Sequence, residues 1–259
     1  MTALIETIEH DGDIREIRMA RAPVNALNPE LCRQLIAALA AAHGDDVRGI
    51  VLSGGEGIFS AGLDVPFLLS LGDDRDALND AWQAFFGVAR ALAGARVPVV
   101  AAIGGHSPAG GCVLALCCDY RVMACSLDPQ RPFVIGLNET QVGLVAPEGI
   151  QQLMRRAVGV HRAENLLVAG ALVPAEQAAR IGLVDELADA AEVTPRALTW
   201  LRTLLALPHA AVSQTRAIAR ADLALALDHD NIRMDRFVEA WYAPETQAAL
   251  QAMVERLKK

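Results

Sequence analysis

The chain has 259 residues, of which 53% are hydrophobic and 21% are charged, and its formal net charge at pH 7 is −8. This length can bury a sizeable core in one large domain or in one domain with an appendage. The acidic balance argues against nucleic acid as a partner and against long-range attraction of an anionic ligand, so any phosphate group must be held locally.

Short strands alternate with helices along the first part of the sequence. Alternating or continuous short apolar runs predict strands, whereas apolar residues three and four positions apart predict helices. The elements predicted up to residue 103 are a hairpin of strands at 4–9 and 14–19, a helix at 29–42, a strand at 48–53, a short helix from 65, a helix at about 77–93 and a buried strand at 97–103. Those predicted between residues 110 and 194 are a helix at 110–118, strands at 120–124 and 133–135, and helices at 147–158, 162–169 and 175–181.

Beyond Thr194 the pattern changes to helices alone. These helices are predicted at 195–207, 210–227, 231–242 and 244–257, with Pro208 and Pro244 as breaks. Several of them are amphipathic, so their apolar faces must be covered either by the core of the same chain or by another subunit. We therefore divide the chain into a core, residues 1–194, and a C-terminal helical region, residues 195–259.

The stretch from Pro98 to Asp119 predicts a buried strand that leads through a glycine-bearing turn into a buried helix. A helix that starts on Gly110-Gly111 leaves bare backbone N–H groups at its first turn, where they could hold an oxygen anion. Glycine-rich junctions are common, so this turn alone is not specific. A second turn, Gly55 to Asp64, presents another N–H group beside the first, and two such turns on adjacent strands predict an oxyanion hole with two donors.

A dinucleotide-binding fold is disfavoured, although strands alternating with helices also suit a doubly wound sheet. The glycine pair Gly55 and Gly57 is followed by Ser60 where the G-x-G-x-x-G fingerprint needs a glycine.

Four segments together resemble the crotonase (enoyl-CoA hydratase/isomerase) family. They are FSAGLD at 59–64, AAIGGHSPAGGCVLALCCD at 101–119, GLNETQVGLVAP at 136–147 and AARIGLVDE at 178–186. Within the family, the SPAGG turn and the GLNET segment resemble those of Δ3,Δ2-enoyl-CoA isomerases. The resemblance implies an α/β fold with a ββα spiral core, followed by a C-terminal helical region that covers the site and forms trimer contacts.

The same resemblance implies roles for individual residues. The N–H groups of Leu63 and Gly110 would be the oxyanion donors, Glu139 would be the catalytic base, and Arg21 is a candidate contact for a CoA phosphate. The residues implied in substrate binding are Val24, Ala26, Ala61, Gly62, Asp64, Val65 and Asn138. Trp82, Phe85 and Phe86 either line the acyl pocket or belong to the ordinary helix core. No separate cofactor and no metal are implied, because CoA is part of the substrate.

Hydratases of this family are expected to use two glutamates on a water molecule, and these positions fall on Val113 and Glu139. Val113 cannot transfer a proton, so activation of water by two carboxylates is hard to support. One carboxylate is enough to take a proton from C2 of a 3-enoyl thioester and return it at C4. The apolar neighbours Leu137, Val142 and Leu144 predict that desolvation raises the pKa of Glu139 toward a useful base strength.

The predicted function is therefore that of a Δ3,Δ2-enoyl-CoA isomerase of the fatty-acid oxidation type, acting as a homotrimer or a dimer of trimers. One alternative is a hydratase in which Glu148 replaces the missing acid, although an acid after Pro147 at a helix start also has a purely structural explanation. Another CoA-thioester enzyme on the same scaffold and a non-catalytic acyl-CoA-binding subunit remain further alternatives.

The chain ends and the cysteines predict a reducing compartment. The N-terminal sequence shows no leader pattern and the terminal Lys258-Lys259 is not a peroxisomal address, so the cytoplasm is the predicted location. No apolar run is suited to span a bilayer, so no membrane partner is predicted. The five cysteines, with Cys117 and Cys118 adjacent in an apolar helix, favour buried reduced thiols over disulfides or metal ligands.

Overall fold

The computed structural model describes residues 3–44 and 46–257. The outermost residues considered for targeting, 1–2 and 258–259, lie outside this part. Ten strands form two sheets within the described residues. They are β1 (Ile5–His10), β2 (Ile14–Met19), β3 (Gly49–Ser53), β4 (Gly57–Ile58), β5 (Val99–Ile103), β6 (Gly105–Pro108), β7 (Tyr120–Ala124), β8 (Val134–Gly136), β9 (Val173–Pro174) and β10 (Glu186–Ala188).

Helices surround the two sheets. They are α1 (Pro29–Gly44), α2 (Val65–Ser70), α3 (Arg75–Ala93), α4 (Gly110–Leu116), α5 (Glu148–Val158), α6 (Val160–Ala169), α7 (Ala175–Ile181), α8 (Val193–Leu205), α9 (His209–Ala219), α10 (Ala221–Ala226), α11 (His229–Ile232), α12 (Met234–Trp241) and α13 (Pro244–Leu257). Two short 3₁₀ helices lie at Glu139–Val142 and Ala190–Glu192. In the described residues, no helix is both long enough and apolar enough to cross a membrane.

The larger sheet has six strands in the order β1-β2-β3-β5-β7-β10. Its β1 and β2 form the predicted antiparallel hairpin, and the other neighbours are parallel. Every residue of β3 and β5 is buried, as expected for parallel strands covered on both faces. Alternate residues therefore serve two cores: Leu52 packs in the main core, whereas Val51 packs with Leu201 of α8 on the opposite face.

The smaller sheet has the order β4-β6-β8-β9, and apart from the β8 segment it was not predicted from the sequence. The chain passes from β3 into β4 and from β5 into β6, so two connections lead directly from the larger sheet to the smaller one. Gly104 separates β5 from β6, and Gly105 is required because a Cβ atom there would lie only 1.9 Å from the Gly57 carbonyl carbon. Strands of two to four residues are too short to show the alternation that predicts strands.

The C-terminal helices differ in three respects from the prediction. The single helix predicted at 210–227 is two helices, α9 and α10, because the backbone leaves helical geometry at Arg220, whose side chain donates to the Cys117 carbonyl. The helix predicted at 231–242 is likewise divided into α11 and α12 at Arg233, whose φ is +46°. The predicted start at residue 195 is also slightly late, since α8 begins at Val193. Helices α12 and α13 fold back on the same chain and bury Phe237, Trp241 and Leu250 in the main core.

Four of the five cysteines are buried and unpaired, as the sequence predicts, and Cys125 is half-buried.

Candidate active site

A cavity of about 550 Å³ opens between the turn after β4, the start of α4, the 3₁₀ helix Glu139–Val142 and the C-terminal helices. Its walls are mostly apolar, and the charged residues that line it are Arg21, Asp64 and Glu139. Such a concave, apolar space with few polar groups is typical of a small-molecule site.

All but one of the predicted site residues line this cavity. Those found there are Val24, Ala26, Ala61, Leu63, Asp64, Val65, Gly110, Asn138 and Glu139. These residues come from four separate stretches of the chain, and the fold brings them together around one cavity.

Gly62 is the exception and is not among the residues that line the cavity. Its φ is +86°, and a Cβ atom built on it would lie 3.0 Å from the Gly110 nitrogen. This glycine therefore allows the two turns to approach each other closely, and its contact with a substrate stays a prediction.

The Leu63 N–H group points away from the neighbouring strand segment. The Leu27 N–H group donates to the Gly62 carbonyl over 2.7 Å, and the Leu27 carbonyl accepts from the Asp64 N–H group over 3.1 Å. Because N–H groups of successive residues in an extended segment point in opposite directions, the Leu63 N–H group faces away from Leu27. Within the described residues, the Leu63 N–H group has no acceptor. It is therefore free to bind an oxygen in the cavity.

Ala109 orients the second N–H group. This residue has φ +47° and ψ −119°, a conformation that is unfavourable for an alanine. It is held there because its N–H group donates to the Gly136 carbonyl over 2.8 Å and its carbonyl accepts from Val113 over 3.0 Å. The next N–H group, that of Gly110, begins α4 without an acceptor among the described residues. Nothing in the residue type of Ala109 signals this conformation in the sequence.

Glu139 begins the 3₁₀ helix and is half-buried at the cavity wall. Burial raises the pKa of its carboxyl from 4.5 to about 7, because desolvation penalises the charged form. Val142 and Leu144 line the cavity beside it, in agreement with the apolar surroundings expected from the sequence. No ion pair involving Glu139 exists in the part of the chain that the structure describes.

Asp64 differs from Glu139 because it is paired. Its Oδ2 atom accepts from Arg21 Nη2 over 2.6 Å, and its Oδ1 atom caps α2 by accepting from the Phe67 N–H group over 3.0 Å. Arg21 Nη1 also donates to the Ala26 carbonyl over 2.8 Å. The Arg21 guanidinium thus has two partners from the protein, and its contact with a CoA phosphate stays a prediction.

The two other positions considered for acid-base chemistry differ in location. Val113 lines the cavity and is 2% exposed, so an apolar side chain stands where a second acid was expected for hydration. Glu148 is exposed in the first turn of α5 and is not among the residues that line the cavity. A negative charge at this helix start is stabilising for structural reasons.

A cluster of aromatic rings forms part of the cavity wall. Trp82, Phe85 and Phe86 of α3 line the cavity and are also buried in the main core, and their contact with an acyl group stays a prediction. Phe237 and Trp241 of α12 complete this aromatic cluster, with ring centroids 4.3 and 5.9 Å from that of Trp82. Their spacing of four residues in the sequence indicates one buried helix face but not the cavity that this face lines.

These groups suit chemistry on a carbonyl compound. Two N–H groups without acceptors can stabilise a developing oxyanion, and a carboxyl with a pKa near neutrality can move a proton. Among the described residues, no group of three or more histidine, cysteine or acidic side chains is arranged to hold a metal ion.

Comparison with known proteins agrees with this geometry. A human protein named "Enoyl-CoA delta isomerase 1, mitochondrial" is 34% identical over 240 residues, which cover 92% of this chain and 78% of that protein. A protein of Mycobacterium avium named "Probable enoyl-CoA hydratase" is 30% identical over 227 residues, covering 84% of this chain and 82% of the relative. The crystal structure of human mitochondrial delta3-delta2-enoyl-CoA isomerase superposes with a TM-score of 0.90 at 31% identity, over 99% of this chain and 98% of the other.

The superposition confirms the predicted α/β crotonase fold. The sequence profile described as "Enoyl-CoA hydratase/isomerase" matches residues 9–259, nearly the whole chain. With this match and the cavity just described, the chain belongs to the enoyl-CoA hydratase/isomerase, or crotonase, family of enzymes that act on CoA thioesters.

Proposed function

We propose that this protein is a Δ3,Δ2-enoyl-CoA isomerase that uses Glu139 as its single acid-base residue, in fatty-acid oxidation. The observation that carries the proposal is the contrast between cavity-lining residues: Glu139 is an unpaired carboxyl with a raised pKa, whereas Val113 is apolar and Asp64 is bound to Arg21. A double-bond shift needs one group that accepts and returns a proton.

The chemistry proceeds in two proton transfers. Glu139 takes a proton from C2 of a 3-enoyl thioester, and the electrons move to the thioester oxygen to give a dienolate. The N–H groups of Leu63 and Gly110 stabilise this oxyanion, and loss of one such donor typically costs about 2.7–4 kcal/mol. Protonation of C4 by the Glu139 carboxylic acid then forms the C2–C3 double bond and restores the carboxylate. The acyl group packs against the aromatic cluster, and Val24, Ala26, Ala61, Asp64, Val65 and Asn138 bind the rest of the substrate.

Hydration is less well supported because it requires a second acid-base group to transfer a proton of the water molecule. Val113 has no such group, and the exposed Glu148 lies outside the cavity lining. The relatives carry names of both activities, so the residues in the cavity favour isomerisation more than the names do.

Two assays on the purified protein test the proposal. With 3-enoyl-CoA and 2-enoyl-CoA as substrates, isomerisation should be faster than hydration, and some deuterium placed at C2 should appear at C4. Faster hydration would indicate a hydratase. Binding of acyl-CoA without turnover of either substrate would indicate a non-catalytic subunit.

We also propose that the helical region 195–259 forms contacts between subunits. None of the residues of α9 is buried, and Ile218 of α9 and Leu225 of α10 are 79% and 67% exposed. Exposed apolar side chains on neighbouring helices suit an interface. Light scattering should therefore show an oligomer, and a monomer at micromolar concentration would contradict this proposal.

A further inference from the structure

The turn that carries Glu139 is held between two helices that are distant in sequence. On one side, Gln141 Nε2 donates to the Gly170 carbonyl at the end of α6 over 2.8 Å. On the other side, the hydroxyl of Thr246 in α13 donates to the Gly143 carbonyl over 2.9 Å. The 3₁₀ helix is thus tied at both flanks.

Thr246 is in an unusual environment for a threonine. It is 2% exposed, and it packs directly on the residue that ends the 3₁₀ helix. A Cβ atom built on Gly143 would lie 3.0 Å from Thr246 Oγ1 and 3.1 Å from its Cα atom. The turn and the helix therefore touch through backbone, and a shift of either one moves the other.

The end of the 3₁₀ helix links this contact to Glu139. Gly143 has φ +75°, and its N–H group donates to the Thr140 carbonyl over 3.2 Å. The following N–H group, that of Leu144, donates to the Glu139 carbonyl over 3.0 Å. The peptide group between Gly143 and Leu144 therefore has two bonds: its carbonyl accepts from Thr246, and its N–H group donates to the Glu139 carbonyl.

We propose that Thr246 is a positioning residue that sets the location of the Glu139 carboxyl through its hydrogen bond to Gly143. This inference rests on the proposed role of Glu139. A carboxyl that serves both C2 and C4 must lie within hydrogen-bond reach of each carbon, so the geometric tolerance is small. Helix α13 also lines the cavity with Leu250 and Met253, so one helix places the base and shapes the substrate space.

Thr246→Val tests the hydrogen bond because valine keeps the shape of threonine without its hydroxyl. We expect kcat for isomerisation to fall about 10- to 100-fold, since a displacement near 1 Å can cost about 100-fold. KM should change little, because the groups that bind CoA are not altered. The fraction of deuterium transferred from C2 to C4 should also fall, because a displaced carboxyl exchanges more often with water before it returns the proton.

Two further variants distinguish a positioning role of Thr246 from a packing role. Thr246→Ser restores the hydroxyl and should recover most of kcat and of the deuterium transfer. Thr199→Val removes a similar hydroxyl-to-carbonyl bond, from Thr199 to Pro195 over 2.9 Å on α8, and should leave both unchanged. If the valine variant does not fold, Thr246→Ala removes the hydroxyl without placing a methyl group against Gly143, and the same loss of kcat is expected.

Parental kcat in a folded Thr246→Val or Thr246→Ala variant would overturn the inference, as would equal losses in the Val and Ser variants. The proposed function fails on a different measurement, namely full isomerase activity in Glu139→Gln. If Glu139→Gln is inactive and Thr246→Val is parental, the base assignment stands and only the positioning role is wrong.

Discussion

Two sets of groups line the cavity: the reacting groups, which are two backbone N–H groups and a carboxyl, and a cluster of aromatic rings from α3 and α12. The reacting groups depend on where a few backbone atoms lie, and Ala109 at φ +47° shows that an unfavourable conformation is kept to place one of them. The aromatic cluster contributes apolar surface area and shape. Substitutions at the reacting groups should therefore change rates, whereas those in the aromatic cluster should change substrate preference and stability.

The largest effect is expected at Glu139. Glu139→Gln keeps the size of the side chain but removes the base, so isomerase turnover should fall about 10²- to 10⁴-fold, the range typical of general-base loss. Steady-state kinetics with 3-enoyl-CoA measures this. Glu148→Gln is the matched control, because it changes an exposed glutamate nine positions further along the chain and should retain parental turnover. A larger loss in the control than in Glu139→Gln would transfer the role of base to Glu148.

Gly110→Pro should have the next largest effect. Proline removes the N–H group proposed as an oxyanion donor while tolerating the first position of a helix, so kcat should fall about 10²- to 10³-fold. The added carbon atoms also matter, because a Cβ atom at Gly110 would lie 3.0 Å from Leu27 Cδ1 and 3.2 Å from the Gly62 Cα atom.

Gly110→Ala is therefore the control for Gly110→Pro. Alanine adds the same Cβ atom but keeps the N–H group, so it should retain clearly more activity than proline. Circular dichroism establishes that both variants are folded. Equal kcat values for the two would mean that crowding, and not the lost donor, explains the effect.

In the aromatic cluster, Trp241→Leu should change specificity more than rate. The smaller side chain enlarges the cavity, so kcat/KM for a longer acyl chain should rise relative to a shorter one by about tenfold, the lower range for one methylene in an apolar pocket. Trp200 provides a control because it stacks on Tyr120 at 4.8 Å and is not among the cavity-lining residues. An unchanged ratio of chain-length preferences in Trp241→Leu would show that these rings do not limit the acyl chain.

The smallest effect concerns stability and pH. Folding raises the pKa of Glu139 from 4.5 to about 7, so between these values the folded protein keeps a proton that the unfolded chain has released. The contribution of this residue to the free energy of unfolding is thus greatest below pH 4.5 and is lost as the pH rises through about 7.

Glu139→Gln should remove this pH dependence. The difference in melting temperature, variant minus parent, should increase as the pH rises from about 5 to about 8, because only the parent is destabilised by the loss of the Glu139 proton. Each kcal/mol lost by the parent corresponds to about 2–4 °C. Calorimetry of both proteins across this range gives the difference directly. A difference that does not vary with pH would contradict the raised pKa.

Much of the fold could be predicted because burial leaves a local pattern. The continuous apolar run of β5 indicated a buried strand, and the leucines of α1 indicated one buried helix face. The smaller sheet left no such pattern, because its strands have only two to four residues. The break at Arg220 was also not predicted, because no glycine or proline marks it in the sequence.

For the site, the sequence by itself determined which chemical groups are present: glycines at the two turns, one acid among apolar neighbours and no acid at Val113. Only the tertiary structure decided which of these groups meet, that Gly62 lets the two turns approach each other closely, and that the Leu63 and Gly110 N–H groups have no acceptor within the described residues. It also decided that Trp241 and Thr246 of the C-terminal helices reach the cavity and the turn of Glu139. The periodicity of apolar residues indicates which side chains are buried. It does not indicate which distant residues contact each other, because those contacts form only when the whole chain folds.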